Sequence, residues 1–182
     1  WVQIFQEYGI TFEEQASFFS GPAFLPWFRM GNVQGWGGPL TMDWIVKQKE
    51  LKRDSLARMR GLGMKPVLGA FAGYVPEVFA ERYPNVDISI SPGWSGFGKE
   101  NPETAQYAGM RLIEPTDPMF VEIGNKFIAL QQETYGTDHF YQCDTYNEMN
   151  PRSREPQYLS DSSSAVYRAM SLADPKAVWM MQ

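Results

Sequence analysis

Helical and strand-like patterns alternate along the sequence from Asp43 onward, and this alternation restricts the fold more than any other feature. Apolar side chains recur at helical spacing over residues 43–62, with charged residues largely on the opposite face. Gly61 and Gly63 end this pattern. Residues 64–72 then form an apolar run short enough for a buried strand, followed by an exit loop. The predicted apolar face of the helix consists of Trp44, Leu51, Leu56, Met59 and Leu62.

The same alternation continues through the second half of the chain. Asp117 can cap a helix that begins with Pro118, because its carboxylate can accept hydrogen bonds from the free amide groups of the first turn. Gly136 ends this helical pattern. The segments that follow are predicted as a strand over 140–148, a helix over 156–173 and a strand over 177–181. Three alternations of helix and strand predict parallel strands joined by right-handed crossovers.

Three parallel strands indicate an α/β fold but cannot close a barrel, because a (β/α)8 barrel needs eight strands. The simplest interpretation is part of a (β/α)8 TIM-barrel domain, with about three consecutive βα units and an incomplete barrel. The chain begins at Trp1 rather than Met, and the apolar run 178–182 has the pattern of a strand that stops in its middle. We therefore expect residues 1–182 to be an internal fragment of one catalytic domain of about 250 residues or more.

The first forty residues contain many aromatic residues and glycines but few periodic signals. Thr11 can cap a short helix that begins at Phe12, with Glu13 and Glu14 in its first turn. We expect the remainder of this region to be a long ordered loop.

Composition excludes several classes of function. A single cysteine, Cys143, cannot form an internal disulfide, and a single histidine, His139, disfavours a histidine-based metal site or a hydrolytic triad. The formal charge of −5, with acidic and basic residues mixed along the chain, argues against a nucleic-acid surface. No apolar run approaches the roughly 20 residues that a membrane span needs, and no signal-peptide pattern occurs within residues 1–182.

The most informative chemical feature is the Asn147-Glu148 pair. It ends the predicted strand over 140–148 and is closely followed by Pro151. A glutamate at the carboxyl end of a barrel strand lies on the rim where such barrels keep their catalytic groups. Held there, Glu148 can act as a general acid, and the aromatic residues upstream suggest a sugar as its substrate.

Four sequence motifs point to a known family. They are GPAFLPWFRMGN at residues 21–32, WGGPL at 36–40, GMKPVLGAFAGYVPE at 63–77 and DTYNE at 144–148. In this order, and over nearly the whole chain, they resemble the alpha-N-acetylglucosaminidase family, glycoside hydrolase family 89. Four motifs of this length are far more specific than an Asn-Glu pair alone.

The resemblance implies a retaining exo-hydrolase that removes terminal alpha-linked N-acetylglucosamine, in animals from heparan sulfate, with two glutamates on a (β/α)8 barrel. The acid/base glutamate of the family falls on Glu148, and its nucleophile is expected beyond Gln182. The resemblance also implies a lysosomal, vacuolar or secreted enzyme that needs no metal or organic cofactor. It allows a homo-oligomer for the full-length protein.

The same resemblance marks candidates for substrate binding. Trp27 and Trp94 align with tryptophans that line the sugar pocket of the family, although spacing alone also fits packing in a core. Asn147 can donate and accept hydrogen bonds at the 2-substituent of the sugar. Tyr167 matches a tyrosine of the family, but its place in a predicted helix also fits packing. Tyr74 lies at the end of the predicted strand and could reach the same pocket.

Three further residues near the acid are predicted to have supporting roles or none. Asp144 is expected to support the site through a hydrogen bond. His139 is expected at the surface or at a helix end. Cys143 is expected to be a small buried side chain rather than a nucleophile, because no base partner accompanies it.

Substrate stereochemistry supports the interpretation with two carboxylates. The 2-acetamido group of an alpha-linked glucosamine is cis to the leaving oxygen, so it cannot attack the anomeric carbon from the rear, and the protein must supply the nucleophile. Two alternatives stay open. One is a catalytically silent carbohydrate-binding relative that keeps the pocket, and the other is a retaining glycosidase with a different sugar specificity.

Overall fold

The structure is a computed structural model that describes residues 1–21, 33–94, 96–98 and 100–181. This described part contains six α-helices and six short strands. The helices are α1 (Val2–Glu7), α2 (Phe12–Gln15), α3 (Met42–Gly61), α4 (Glu77–Arg82), α5 (Pro118–Tyr135) and α6 (Pro156–Ser171). The strands are β1 (Val67–Gly69), β2 (Tyr74–Val75), β3 (Ile88–Ile90), β4 (Arg111–Ile113), β5 (Phe140–Gln142) and β6 (Val178–Met180). A 3₁₀ turn covers Ala105–Tyr107.

The first sheet is parallel and has the strand order β1–β5–β6. In its middle row Leu68 of β1 pairs with Tyr141 of β5, and Tyr141 pairs with Trp179 of β6. These parallel strands, separated by helices, confirm the predicted α/β fold. The carboxyl ends of all three strands meet at one edge of the sheet, which we call the carboxyl edge, and the opposite edge is the amino edge.

A second sheet, which is antiparallel, is not predicted by the sequence patterns. Its order is β2–β4–β3, and it lies along the chain between β1 and α5. These strands have two or three residues each, which is too short for a recognisable alternation of apolar and polar residues. Because β2 begins five residues after β1 ends, the antiparallel sheet departs from the carboxyl edge of the parallel sheet.

Local capping signals place most helix ends as predicted. The Thr11 hydroxyl accepts the N–H of Glu14 at 3.3 Å, and the Glu14 carboxylate accepts the N–H of Thr11 at 2.7 Å, so a capping box starts α2. Asp117 caps α5 by accepting the N–H of Met119 at 2.8 Å, and Gly136 ends this helix with a φ of 70°. Helices α3 and α6 agree with their predicted bounds to within two residues.

Two expectations for the helices are wrong. The N-terminal region is not a loop outside α2, because α1 forms there and buries Ile4 and Phe5 completely. Six residues are too few to produce a clear helical period. On α3 the predicted apolar face is only partly enclosed, since Leu56 is buried whereas Leu51 is 56% exposed and Leu62 is 59% exposed.

One packed core joins the parallel sheet to α5 and α6. Gly124 of α5 allows these two helices to approach closely, because a Cβ at this position would lie 2.6 Å from the Cβ of Ala169 on α6. Phe71 and Phe120 are fully buried in the same core, with ring centroids 5.2 Å apart. This core gives the carboxyl edge a rigid support on the helical side.

Candidate active site

Glu148 lies in the loop between β5 and α6, not at the end of a strand. The prediction that the strand runs to Glu148 is wrong, because β5 ends at Gln142. The reason is Asp144, whose Oδ1 atom accepts the N–H groups of Tyr146 at 3.2 Å and Asn147 at 2.8 Å. A side chain that binds the backbone two and three residues ahead turns the chain away from the strand. Asp144 therefore supports the site, as expected, by shaping this β5–α6 loop (residues 143–155).

The backbone of the candidate acid is strained. Asn147 has a φ of 31° and Glu148 a φ of 63°. Both lie in the left-handed region of backbone conformation, which residues other than glycine seldom adopt. Each such residue costs on the order of 1–3 kcal/mol and persists only where the surrounding structure holds it. Backbone strain of this kind concentrates at functional sites.

The start of the β5–α6 loop is held by the chain segment that follows β1, through Phe71 and through Tyr74 of β2. The Tyr74 hydroxyl donates to the carbonyl of Thr145 at 2.8 Å, and burial raises the pKa of Tyr74 well above its ordinary value. The Cys143 thiol donates to the carbonyl of Phe71 at 3.2 Å. Burial raises the pKa of Cys143 to about 12, which favours the protonated thiol, and Cys143 is the small buried side chain that the sequence predicted.

The Glu148 carboxylate meets Trp94 at the carboxyl edge. The indole N–H of Trp94 donates to Oε2 of Glu148 at 2.7 Å, and the Glu148 side chain is exposed. Oε1 of Glu148 has no hydrogen-bond donor among the described residues. One oxygen is thus held by Trp94, and among the described residues none donates to the other.

Trp94 is carried by a short turn that follows β3. The backbone N–H of Trp94 donates to the carbonyl of Phe97, and that of Phe97 donates to the carbonyl of Trp94, both at 2.8 Å. The Phe97 ring meets the Trp36 ring edge-on, with centroids 4.7 Å apart. The turn that presents Trp94 is therefore anchored by aromatic packing rather than left as a free loop.

The structure brings together some of the predicted site residues but not all of them. Asn147 and Trp94 lie against Glu148, and Asn147 is only 8% exposed. Tyr167 instead lies on α6 with its hydroxyl 3.4 Å from the carbonyl of Ala177, which directly precedes β6 at the amino edge. It is not next to Glu148, and its binding role stays a prediction. Trp27 lies outside the described residues.

An ionic cluster beside the loop escaped the sequence patterns. Arg152 donates to both carboxylate oxygens of Asp87, at 2.6 and 2.9 Å, and lies 3.2 Å from Oε1 of Glu114. The Tyr158 hydroxyl donates to Oε2 of Glu114 in a short hydrogen bond and lies 3.3 Å from the hydroxyl of Tyr146. Asp87 raises the pKa of Arg152. Arg152 and Tyr158 follow α5 and lie 38 or more residues from Asp87 and Glu114, which precede it, so no short sequence pattern predicts these contacts.

A second carboxylate lies at the amino edge of the parallel sheet. Asp174 is 3% exposed and accepts hydrogen bonds from the Tyr141 hydroxyl at 2.7 Å and the Thr137 hydroxyl at 3.1 Å. His139 Nδ1 lies 2.9 Å from each of its oxygens, and the N–H of Lys176 is 3.1 Å from Oδ1. Burial raises the pKa of Asp174, but these hydrogen bonds outweigh it and lower the pKa overall. His139 is thus a structural partner of Asp174 rather than only a surface residue.

Neither the cavities nor the clusters of possible metal ligands indicate a different site. A cavity of about 220 Å³ adjoins the β5–α6 loop and is lined in part by Asp144, Tyr146 and Trp179. A larger one, about 410 Å³, lies between α1, α3 and α5, away from Glu148. Within the described ranges no group of three histidine, cysteine or acidic side chains is arranged to bind a metal. No helix there is long and apolar enough to cross a membrane.

Comparison with known proteins identifies the family. The family model for the alpha-N-acetylglucosaminidase TIM-barrel domain matches residues 1–182. Human alpha-N-acetylglucosaminidase is 43% identical over 182 residues, which are all of this chain and 24% of the human protein. The chain therefore spans about a quarter of the length of that relative.

Solved structures agree with this match. A family 89 glycoside hydrolase from Clostridium perfringens in complex with PUGNAc is 28% identical, with a TM-score of 0.83 over all of this chain and 20% of that one. A form of the Clostridium perfringens enzyme with two glutamates replaced by glutamine, in complex with its substrate GlcNAc-alpha-1,4-galactose, has a TM-score of 0.82 and is also 28% identical. That match covers 98% of this chain and 20% of the other.

The fold class is therefore an α/β TIM-barrel domain of the kind found in glycoside hydrolases. Within that class, the chain belongs to the alpha-N-acetylglucosaminidase family, glycoside hydrolase family 89.

Proposed function

We propose that this chain forms the acid/base half of the active site of a retaining alpha-N-acetylglucosaminidase, with Glu148 as the acid/base. The observation that supports this most is the geometry of Glu148 at the carboxyl edge, where Trp94 holds Oε2 and Oε1 stays open. Barrel enzymes keep their catalytic groups at this edge. The strained backbone at Glu148 fits the same assignment.

The proposed reaction is a double displacement. A nucleophilic carboxylate attacks the anomeric carbon while Glu148 protonates the departing glycosidic oxygen, and Glu148 then takes a proton from the water that hydrolyses the glycosyl-enzyme. Retention requires the two carboxyl groups to lie about 5–5.5 Å apart. We assign the nucleophile to a glutamate of a later barrel strand, beyond residue 182. The substrate complex of the Clostridium perfringens enzyme with two glutamates replaced is consistent with a pair of essential carboxylates.

Open geometry at Oε1 suits this acid role. An indole N–H can only donate, so Oε2 acts as the acceptor and the transferable proton belongs on Oε1. Oε1 is also the oxygen that a glycosidic oxygen can approach. Trp94 thus orients the acid as well as bordering the sugar pocket.

The remaining binding assignments follow the family pattern. We propose that Asn147 contacts the 2-acetamido group, because it directly precedes Glu148 on the same strained turn. Trp27 is proposed as an apolar platform for the pyranose. For Tyr167 the position near Ala177 supports packing more than contact with the sugar.

The larger context is proposed on the same basis. The chain would contribute about three consecutive βα units of a (β/α)8 barrel, and its substrate would be a glycan with a terminal alpha-linked N-acetylglucosamine. We expect a lysosomal, vacuolar or secreted enzyme, as the family resemblance implies. The natural glycan, of the heparan sulfate type or another, is set by parts of the site that these residues do not carry.

The test is a comparison of leaving groups in a complete enzyme that contains this chain. Glu148→Gln is predicted to lower kcat on GlcNAc-alpha-1,4-galactose by about 10²–10⁴-fold, the usual contribution of a general acid. On the 2,4-dinitrophenyl alpha-glycoside, whose leaving group needs no proton, formation of the glycosyl-enzyme should persist and give a burst of dinitrophenol. Glu155→Gln, an exposed neighbour on the same loop, is the matched control and should retain wild-type rates.

Near wild-type turnover of the disaccharide by Glu148→Gln would remove Glu148 from the acid role. Tight binding of the disaccharide by wild type without any hydrolysis would point instead to a silent carbohydrate-binding relative.

A further inference from the structure

The β5–α6 loop is fixed firmly at its start but depends on one side chain near its end. Asp144 shapes residues 144–147, and Tyr74 of β2 ties Thr145 to the antiparallel sheet. Glu148 lies four residues after Asp144 and four before Arg152. Between Glu148 and the start of α6, Arg152 makes the long-range ionic contacts of the described loop.

Arg152 binds the base of the antiparallel sheet. Asp87 directly precedes β3 by one residue, Glu114 directly follows β4, and the N–H of Glu114 donates to the carbonyl of Asp87 at 2.9 Å. The N–H of Asp87 in turn donates at 2.8 Å to Asp117, which caps α5. Arg152 therefore binds the ends of β3 and β4, which we call the platform, and the platform is hydrogen-bonded to the cap of α5.

The same platform carries Trp94. Strand β3 leads from Asp87 to Ile90, and the chain then reaches Trp94, whose indole holds Glu148. A closed ring of contacts results, from Glu148 along the loop to Arg152, across to Asp87, up β3 to Trp94 and back to Glu148. In such a ring the position of Glu148 relative to Trp94 depends on the Tyr74 contact before Glu148 in the chain and on the Arg152 connection after it.

The charges explain why Arg152 is suited to this place. Glu114 is 1% exposed, so its carboxylate needs partners, and Tyr158 and Arg152 supply one to each oxygen. The contact with Asp87 uses both terminal nitrogens of the guanidinium, a planar geometry that a lysine cannot reproduce. As a half-exposed pair, the Arg152–Asp87 contact adds little stability, and its effect is geometric.

We propose that Arg152 is a positioning residue, which sets the placement of the Glu148 acid relative to Trp94 by clamping the β5–α6 loop to Glu114 and Asp87. The inference rests on the proposed function, since it concerns proton delivery by Glu148. It predicts that loss of Arg152 slows hydrolysis of the disaccharide, whose leaving group must be protonated, more than cleavage of a substrate whose leaving group needs no proton.

The experiment measures kcat/KM, which reports the glycosylation step, for Arg152→Met and Arg152→Lys in a complete enzyme that contains this chain, on GlcNAc-alpha-1,4-galactose and on the 2,4-dinitrophenyl alpha-glycoside. Arg152→Met should lower kcat/KM on the disaccharide by about tenfold, because small misplacements of a catalytic group cost rates of this order. Glycosylation by the activated substrate should fall by less than about threefold, because it needs no acid. Arg152→Lys should show the same pattern with a smaller loss.

Two further variants separate positioning from folding. Arg154→Met is the matched control, because Arg154 lies on the same loop but contacts only Asn150, at 2.6 Å, among its described hydrogen bonds. It should leave both rates unchanged. Glu114→Gln keeps the shape of the side chain and an acceptor for Tyr158 while it removes the charge, so it should fold and show the selective loss to a smaller degree.

Equal losses on both substrates, or no loss on either, in Arg152→Lys and Glu114→Gln would overturn the positioning role. If wild type hydrolyses neither substrate, the proposed function itself fails, and this result is distinct from the first.

Discussion

Two carboxylates at opposite edges of the parallel sheet differ in burial and in the number of hydrogen bonds that they accept. Asp174, at the amino edge, is 3% exposed and is surrounded by donors from Tyr141, Thr137 and His139. Glu148, at the carboxyl edge, is exposed, holds a single described donor and sits on strained backbone. Both carboxylates lie in loops that flank the same strands.

The difference separates a structural carboxylate from the one that we propose as catalytic. Both oxygens of Asp174 accept hydrogen bonds, so neither is free to act on a ligand. Asp174 therefore stabilises the fold. Glu148 keeps one oxygen open and contributes little to the packing. This division agrees with the general asymmetry of β/α barrels, in which one edge carries stability and the other carries chemistry.

The largest predicted contrast is in stability. Asp174→Ala removes the common acceptor of several buried donors and should lower the free energy of unfolding by about 3 kcal/mol. Glu148→Ala, at the other edge, should leave it within about 0.5 kcal/mol, because the residue is exposed. Urea denaturation of both variants beside wild type measures the contrast. Similar losses for the two variants would remove the distinction between the edges.

The next prediction concerns pH. The pKa of Asp174 is lowered in the folded protein, so the stability that it contributes is present above the unfolded pKa, about 3.9. It is lost as the pH falls through the lower, folded value. The melting temperature of wild type should therefore exceed that of Asp174→Asn at pH 6, and the gap should narrow as the pH falls towards about 2. A gap that is constant over this range would contradict the account.

A smaller effect is expected from one donor of the amino-edge cluster. Tyr141→Phe keeps the buried ring but removes the hydroxyl that donates to Asp174 at 2.7 Å, and should cost about 1–1.5 kcal/mol of stability. Tyr167→Phe is the matched control, because its 3.4 Å contact is long and half-exposed. Comparable losses for the two variants would show that the Asp174 cluster is not special.

The smallest predicted effect is a gain in stability at the carboxyl edge. Glu148→Gly should be more stable than Glu148→Gln by about 1 kcal/mol, because glycine adopts a φ of 63° without strain. The same pair of substitutions at Glu133, an exposed position inside α5, should have the opposite sign, because glycine is disfavoured in a helix interior. If glycine is also less stable than glutamine at position 148, the backbone there is not strained in solution.

Local signals predicted helices α2, α3, α5 and α6 and the presence of three parallel strands, but they missed α1 and α4 and extended β5 too far. Asp117, Pro118 and Gly136 bound α5 as expected, because capping depends on residues within one turn. The antiparallel sheet escaped prediction since its strands are stabilised by pairing over long separations rather than by their own periodicity.

The sequence motif named Glu148 and Asn147 as candidates, and their role stays a prediction. Their geometry was not predictable, since the strand was extended too far because the turn depends on the Asp144 side chain. The contact of Trp94 with Glu148 joins residues 54 positions apart, and the Arg152 cluster spans a similar separation. Only the folded chain brings such groups together.

The most direct test of the central claim is the product that Glu148→Ala forms with azide from the 2,4-dinitrophenyl alpha-glycoside, in a complete enzyme that contains this chain. A small anion can enter the space of the missing acid/base and attack the glycosyl-enzyme on the face where water normally enters. We predict the alpha-configured N-acetylglucosaminyl azide, identified by its anomeric NMR coupling. The beta-configured azide would make Glu148 the nucleophile, and hydrolysis at the wild-type rate with no azide adduct would show that Glu148 has no catalytic role.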